Sequence, residues 1–275
     1  MAGNPNTPKE TLIELSKEKD QGMKIKLAEN PNIPSDMLIE LAIDNNPLTK
    51  KAVAENLNTS SYVLRELAKY EDFDVKRGVI FNPNTPIDVL KELAKDEDCE
   101  MRYYVAVNPN TPKEILIELA KDEDCQSRAT VAQNLNISKD ILRKLAKDED
   151  CFVRQSVAGN PNTPSDVLKE LAKDEDQDMK IMIAGNPNTP NDILEKLSKD
   201  EVVETGFGHF NVRQTVAGNP NTPKEILIEL AKDKDFEVKQ GVAFNPNTPQ
   251  KIKAIFFKIF IIVSNKIINR TNAGF

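Results

Sequence analysis

The chain has one histidine, three cysteines and four tyrosines among 275 residues, and each shortage narrows what it can do. His209 stands alone, so there are no paired imidazole ligands and no Ser-His-Asp set, and no glycine-rich phosphate loop occurs. The sequence therefore reads as non-enzymatic and implies no cofactor or metal. Three cysteines are too few for a disulfide framework in a chain of this size and agree with a reducing compartment. No stretch reaches the ~20 apolar residues that span a bilayer. The opening MAGNPNTPKETL lacks a charged region followed by an apolar one, so no secretory signal is expected and the expected compartment is the cytoplasm. Cations are outnumbered too: 37 Lys and Arg against 44 Asp and Glu leave a formal charge of -7. That balance opposes a polyanionic partner, since binding nucleic acid takes dense, clustered cations.

What the chain does have is a phrase. NPNTP, or a close variant, begins at Asn4, Asn30, Asn56, Asn82, Asn108, Asn134, Asn160, Asn186, Asn219 and Asn245. Successive starts are 26 residues apart except the step from Asn186 to Asn219, which is 33 and places an insertion at residues 202–208. Self-similarity at such a period marks stacked repeats, none able to bury its apolar face alone. The expected architecture is an all-α solenoid of about ten 26-residue repeats filling residues 1–275 as a single repeat domain. Positions within a repeat are numbered here from its first Asn.

The repeat beginning at Asn108 shows the local logic. Thr111 reads as a helix N-cap, Pro112 as the first helical residue and Glu114 as the third, a T-P-x-E capping box. Ile115, Leu116 and Leu119 supply the apolar face. Lys121 follows at the end where the helix dipole favours a cation, as do Lys17, Lys69, Lys95, Lys147, Lys173, Lys199 and Lys232 in other repeats. From Asp124 a second, shorter helix is expected, partly 3₁₀ in character.

Comparing the repeats with one another separates positions all of them share from positions that vary. In the second helix, positions 17, 20, 21, 24 and 25 are near-constant and cluster on one side, which is expected to face the stack. Position 25 is the small residue of Ala28, Ala54, Ala106, Ala132, Ala158, Ala184, Ala217 and Ala243, with Ile80 as the larger substitute. Position 21 is a column of cations: Lys24, Lys50, Lys76, Arg102, Arg128, Arg154, Lys180, Arg213 and Lys239. An acidic column at position 17 (Asp20, Asp72, Asp98, Asp124, Asp150, Asp176, Asp235) lies one turn earlier and is expected to pair with it. The asparagines at positions 1 and 3 are expected to satisfy backbone groups of their own turn and of the adjacent repeat.

Taken together, V-A-x-N-P-x-T-P-x-E-L-L-x-x-L-A-x-D-x-x-x-x-V-R resembles the variant leucine-rich repeat, similar in appearance to HEAT-type units, over residues 4 to about 250. The resemblance implies alternating α and 3₁₀ helices in a right-handed superhelix without a β-sheet. It names no function. Family members that hold an iron-sulphur cluster do so in a separate cysteine-rich N-terminal segment. Only Met1, Ala2 and Gly3 precede the first repeat here, so the cluster is not expected.

Four features are candidates for something more. Cys99, Cys125 and Cys151 all occupy position 18. Stacked helices lie ~8–10 Å apart, too far for a disulfide or shared zinc, so a part-buried apolar column with Phe73, Phe210 and Phe236 is expected. His209 follows the insertion and aligns with the helix-capping aspartate, so it reads as a substituted cap beside a tolerated loop or as a special contact. The C-terminal AIFFKIFIIV, residues 254–263, departs from the repeat and reads as part of a capping helix, Lys251 to Asn269, or as a surface for self-association or membrane contact. Finally, the variable positions 19, 22, 23 and 26 form one stripe, expected opposite the stack. It reads Asp74, Arg77, Gly78, Phe81 and then Glu100, Tyr103, Tyr104, Val107, with Phe152 and Phe244 farther along. Aromatic and Arg side chains anchor binding surfaces. A protein or peptide partner on this stripe, through Arg77, Phe81, Tyr103, Tyr104, Val107 and Phe152, is the primary reading. A nucleic-acid-binding solenoid using the position-21 cations on a concave face is the alternative.

Overall fold

Proline sets where the first helix of most repeats begins, with Ser60 and Ser138 in its place in two of them. Pro112, at φ -60 and ψ 150, cannot donate a backbone hydrogen bond and holds the chain extended, so the helix starts at Lys113. The expected Thr cap is not made. Thr111 is buried, and its hydroxyl donates instead to Val105 O at 2.5 Å, a carbonyl left without an intrahelical partner at the end of the preceding helix. Thr59, Thr85, Thr163, Thr189 and Thr222 repeat this bond at the same length.

The computed structural model of the chain describes residues 1–18, 20–200 and 211–256, and among these there is no strand and no 3₁₀ segment. Two compact units are present, Met1–Ser138 and Lys139–Phe275. The first holds α1 (Lys9–Leu15), α2 (Gln21–Ala28), α3 (Ser35–Ala42), α4 (Pro47–Glu55), α5 (Ser61–Leu67), α6 (Phe73–Phe81), α7 (Ile87–Leu93), α8 (Cys99–Val107), α9 (Lys113–Leu119) and α10 (Cys125–Gln133). The second holds α11 (Lys139–Leu145), α12 (Cys151–Gly159), α13 (Ser165–Leu171), α14 (Gln177–Gly185), α15 (Asn191–Leu197), α16 (Val212–Gly218), α17 (Lys224–Leu230) and α18 (Phe236–Phe244), followed by helical residues 250–256. Odd-numbered helices up to α15 are first helices, as is α17; the others are second helices.

The second helix is α-helical and, except for α16, the longer of the two, not the shorter. It runs nine residues in α8 against seven in α9. Two things cause this: proline delays the first helix to position 6, while an aspartate at position 17 starts the second cleanly. Asp72 accepts from Val75 N at 3.0 Å, Asp20 from Met23 N at 2.8 Å and Asp176 from Met179 N at 2.8 Å. The position-17 column is therefore a set of helix caps.

Within each unit the second helices stack side by side, as α2 on α4 on α6 and α14 on α16 on α18. Positions 20, 24 and 25 form the core expected of them: Val75, Val79 and Ile80 are fully buried, as are Val105 and Ala106. Close approach decides position 23 as well. A Cβ on Gly78 would stand 3.0 Å from Ala54 Cβ, so this glycine faces the neighbouring helix and not the exposed stripe.

Asparagine ties one repeat to the next. Asn82 is buried; its Nδ2 donates to Ala54 O at 2.7 Å and Asn56 O at 2.9 Å, and its Oδ1 accepts Asn84 N at 2.9 Å. Asn84 in turn donates to Leu57 O at 2.7 Å. Asn56, Asn186 and Asn245 make the same pair of bonds to the preceding repeat. Every polar atom of a buried amide is thus used, which is the condition for burying one at all.

Candidate interaction surface

The position-21 cations pair between repeats, but not with the acids expected. Lys24 bonds Asp44 at 2.5 Å, Lys76 bonds Asp96 at 2.6 Å and Arg102 bonds Asp122 at 2.7 Å. In the second unit Arg154, Lys180 and Arg213 reach Asp174, Asp200 and Asp233 at 3.7, 3.4 and 2.9 Å. Each partner is the aspartate at position 15 of the following repeat, because the position-17 carboxylates are occupied in capping. Arg102 also donates from Nη1 to Asp96 O and Glu97 O, at 2.9 and 3.1 Å, closing its own turn. The hydrogen-bonded Asp122 carboxylate holds Arg102 protonated above its ordinary range. The hydrogen bond from Lys24 keeps Asp44 below the usual carboxylate value. Burial pushes Asp96 up, but the bonds from Lys76 and from Asp98 N outweigh it and leave the carboxyl lowered. The sequence signal for this ladder was the recurring aspartate at position 15.

The variable stripe does not lie opposite the stack. Positions 22 and 23 are largely drawn into the flanks between neighbouring second helices, leaving positions 19 and 26 the more open, because side-by-side stacking covers two faces of each helix. In the first unit this gathers most of the candidate residues. Tyr104 is the centre: its ring meets Phe73 at 5.8 Å, Phe81 at 6.0 Å and Tyr103 at 5.2 Å, all edge to face, and Arg77 lies over it at 5.8 Å. Phe81 and Val107 stay 41 % and 37 % exposed at the helix ends. Phe73, assigned by sequence to the cysteine column, is the member that the stripe pattern missed. A depression of about 380 Å³ adjoins the tyrosines, lined by Cys99, Glu100, Tyr103, Tyr104, Asp124 and Gln126.

Phe152 belongs to the other unit, on α12, where it is 65 % exposed. That unit has its own groove of about 760 Å³ along α14, α16 and α18, lined by Met182, Gly185, Thr215, Gly218 and Phe244 among others.

Cys99 and Cys151 are exposed and only Cys125 is part-buried, so the column is less covered than expected; all three open their helices, ahead of the first packed turn. No group of three or more His, Cys, Asp and Glu that could hold a metal occurs among the described residues. Among them no helix is long and apolar enough to cross a membrane. The cap of α16 is Asn211, whose Oδ1 accepts Gln214 N at 2.7 Å, so the capping role assigned to His209 falls two residues later. His209, the insertion 202–208 and most of the apolar segment 254–263 lie outside the described residues, as does the proposed cap beyond residue 256.

Among the described residues these features define an all-α repeat protein in which six position-21 cations pair with aspartates of the next repeat and the Tyr104 ring meets three other aromatic rings. Residues 152–176 match the family model described as "Leucine rich repeat variant". The fold is similar to that of the solved "leucine-rich repeat variant with a novel repetitive protein structural motif", 24 % identical, with a TM-score of 0.57 over 83 % of this chain and 88 % of that one. The Escherichia coli protein YibA aligns over 86 % of this chain and 92 % of its own at 15 % identity and a TM-score of 0.44. An archaeal HEAT-like repeats protein from Thermococcus onnurineus NA1 aligns over 86 % and 97 % at 16 % identity and a TM-score of 0.27. No curated protein matches the sequence.

Proposed function

We propose that the chain is a non-enzymatic, cytoplasmic scaffold that binds a protein or peptide through the open edge of its second helices. The observation that carries this is the Tyr104 cluster, four aromatic rings and one guanidinium converging on a surface otherwise made of regular repeats. Rigid aromatic side chains beside an arginine offer large contact area at low entropic cost. The nucleic-acid alternative draws no support from the cation column, because Lys24, Lys76, Arg102, Arg154, Lys180 and Arg213 each face an aspartate.

The test is recovery of partners from a cell lysate, with and without nuclease, by the intact chain and by a Tyr103→Ala, Tyr104→Ala variant of unchanged helical content. A protein retained after nuclease and lost with the variant supports the reading. Recovery that needs nucleic acid and ignores the tyrosines turns it toward the alternative.

A further inference from the structure

The depression beside the tyrosines has an unbalanced lining. Its charged groups are the carboxylates of Glu100 and Asp124, and no Lys or Arg lines it. Two cations on the adjoining helices are engaged. Arg102 holds Asp122 by two bonds, Nε at 2.7 Å and Nη2 at 3.0 Å, and Arg77 pairs with Asp74 at 3.5 Å while covering Tyr104.

Glu100 differs from the residues at position 19 in the two adjacent repeats. One repeat earlier Asp74 has two cations within reach, Lys51 at 3.9 Å and Arg77 at 3.5 Å; one repeat later the residue is the neutral Gln126. Glu100 is exposed and makes no ion pair among the described residues. Asp124 stays ionised: burial acts to raise its pKa, but the Ser127 amide at 2.7 Å and the nearby Arg102 charge bring it below the ordinary value. Two carboxylates therefore stand beside two tyrosine rings, and Arg77 over Tyr104 shows how a guanidinium sits on such a ring.

We infer that this depression receives an arginine or lysine side chain from a basic segment of a protein partner. The inference rests on reading this edge as the partner surface. The incoming cation lies over Tyr103, whose ring is not covered by Arg77, and donates hydrogen bonds to Glu100, with the Asp124 carboxylate of the same lining adding to the attraction. Arginine fits best, since its planar group can stack on the ring and present paired donors to the carboxylate together. The same lining repels phosphate and acidic peptides.

The test uses the full chain and two labelled probes, the octapeptides (Gly-Arg)4 and (Gly-Gln)4, with binding followed by fluorescence anisotropy at about 0.15 M salt, where long-range attraction is screened. The arginine probe binds and the glutamine probe does not. Glu100→Gln and Tyr103→Ala each weaken binding about fivefold or more, for the tyrosine the upper scale of an exposed cation–π contact. Tyr103→Phe, which keeps the ring, and Glu92→Gln, which removes an exposed charge elsewhere, change it less than about twofold. Absence of binding overturns the inference, and so does a loss as large with Glu92→Gln, which marks general attraction of a polycation to an acidic chain. A lysate partner lost with the tyrosine double variant but indifferent to Glu100→Gln overturns the inference and leaves the surface reading standing. Retention by the double variant removes both.

Discussion

Lys50 holds its ammonium 4.9 Å from the centre of the Tyr70 ring, and Tyr70 occupies the position at which Asp44, Asp96 and Asp122 bind the cations of other repeats. The rung between these two repeats is thus a cation–π contact where its neighbours are ion pairs, and Lys50 also donates to Ala42 O at 2.7 Å. Tyr70→Leu removes the ring and is expected to cost about 0.5–1 kcal/mol, while Tyr70→Asp restores the common rung and recovers most of that loss. Urea midpoints of the two variants check both outcomes.

The ladder separates inner from outer ion pairs. Arg102 and Asp122 keep only 11 % and 6 % of their side chains exposed, against 44 % and 62 % for Arg65 and Asp88. Asp122→Asn leaves a largely buried guanidinium without its charge partner and is expected to cost about 2 kcal/mol. Asp88→Asn is expected to cost less than about 0.5 kcal/mol. Denaturant unfolding of the two variants, side by side, reads the difference.

Acid should undo the same ladder. Asp44 and Asp96 both titrate below the ordinary 3.8 in the folded chain. A carboxylate lowered by folding contributes stability that is fully present above its unfolded value and lost as pH falls through the folded one. The midpoint is therefore expected to hold steady from neutrality to about pH 5 and to fall progressively below pH 4. Asp44→Asn and Asp96→Asn should each flatten that acid limb, as thermal melts across the range will show.

Asparagine makes the sharper structural prediction. Asn82→Ala removes two donated bonds to the preceding repeat and leaves Ala54 O and Asn56 O buried without them. The expected cost is about 2–3 kcal/mol. Asn84→Ala, at the exposed position 3, is expected to cost about 0.5–1 kcal/mol. Equal losses would mean the buried amide is no more important than the exposed one.

Two glycines on second helices should respond in opposite directions. Gly78→Ala drives a methyl to 3.0 Å from Ala54 Cβ and is expected to destabilise by about 1–2 kcal/mol. Gly218→Ala meets nothing within 4 Å and is expected to stabilise by about 0.5 kcal/mol, since alanine restricts the unfolded chain. Their melting temperatures provide the comparison.

Legibility followed the locality of the interaction. Asn82 bonding the previous turn was foreseeable because the same amide recurs at every period and a buried amide needs partners. The Thr111 cap was misread because a threonine before proline looks alike whether its hydroxyl turns forward to a helix or back to a carbonyl such as Val105 O. The cation ladder was right in kind and two residues off in partner, since position 15 and position 17 are both acidic and only the helix start assigns one of them to capping. Tyr103 and Tyr104 could be picked out as unusual, but the contact of Tyr104 with Phe73 depends on the offset between α6 and α8, which no single-repeat pattern contains.

The sequence by itself determined the period, the two helices per repeat, the small residue at position 25 and the asparagine rungs, because each of these is dictated by short-range geometry repeated at a fixed spacing. Only the tertiary structure decided which aspartate meets Arg102, why a side chain on Gly78 would crowd Ala54, and that Tyr104 collects three other rings while Glu100, beside the tyrosines, makes no ion pair among the described residues. Those outcomes hang on a few ångströms of relative placement between neighbouring helices, a quantity that packing sets and that a list of residues does not encode.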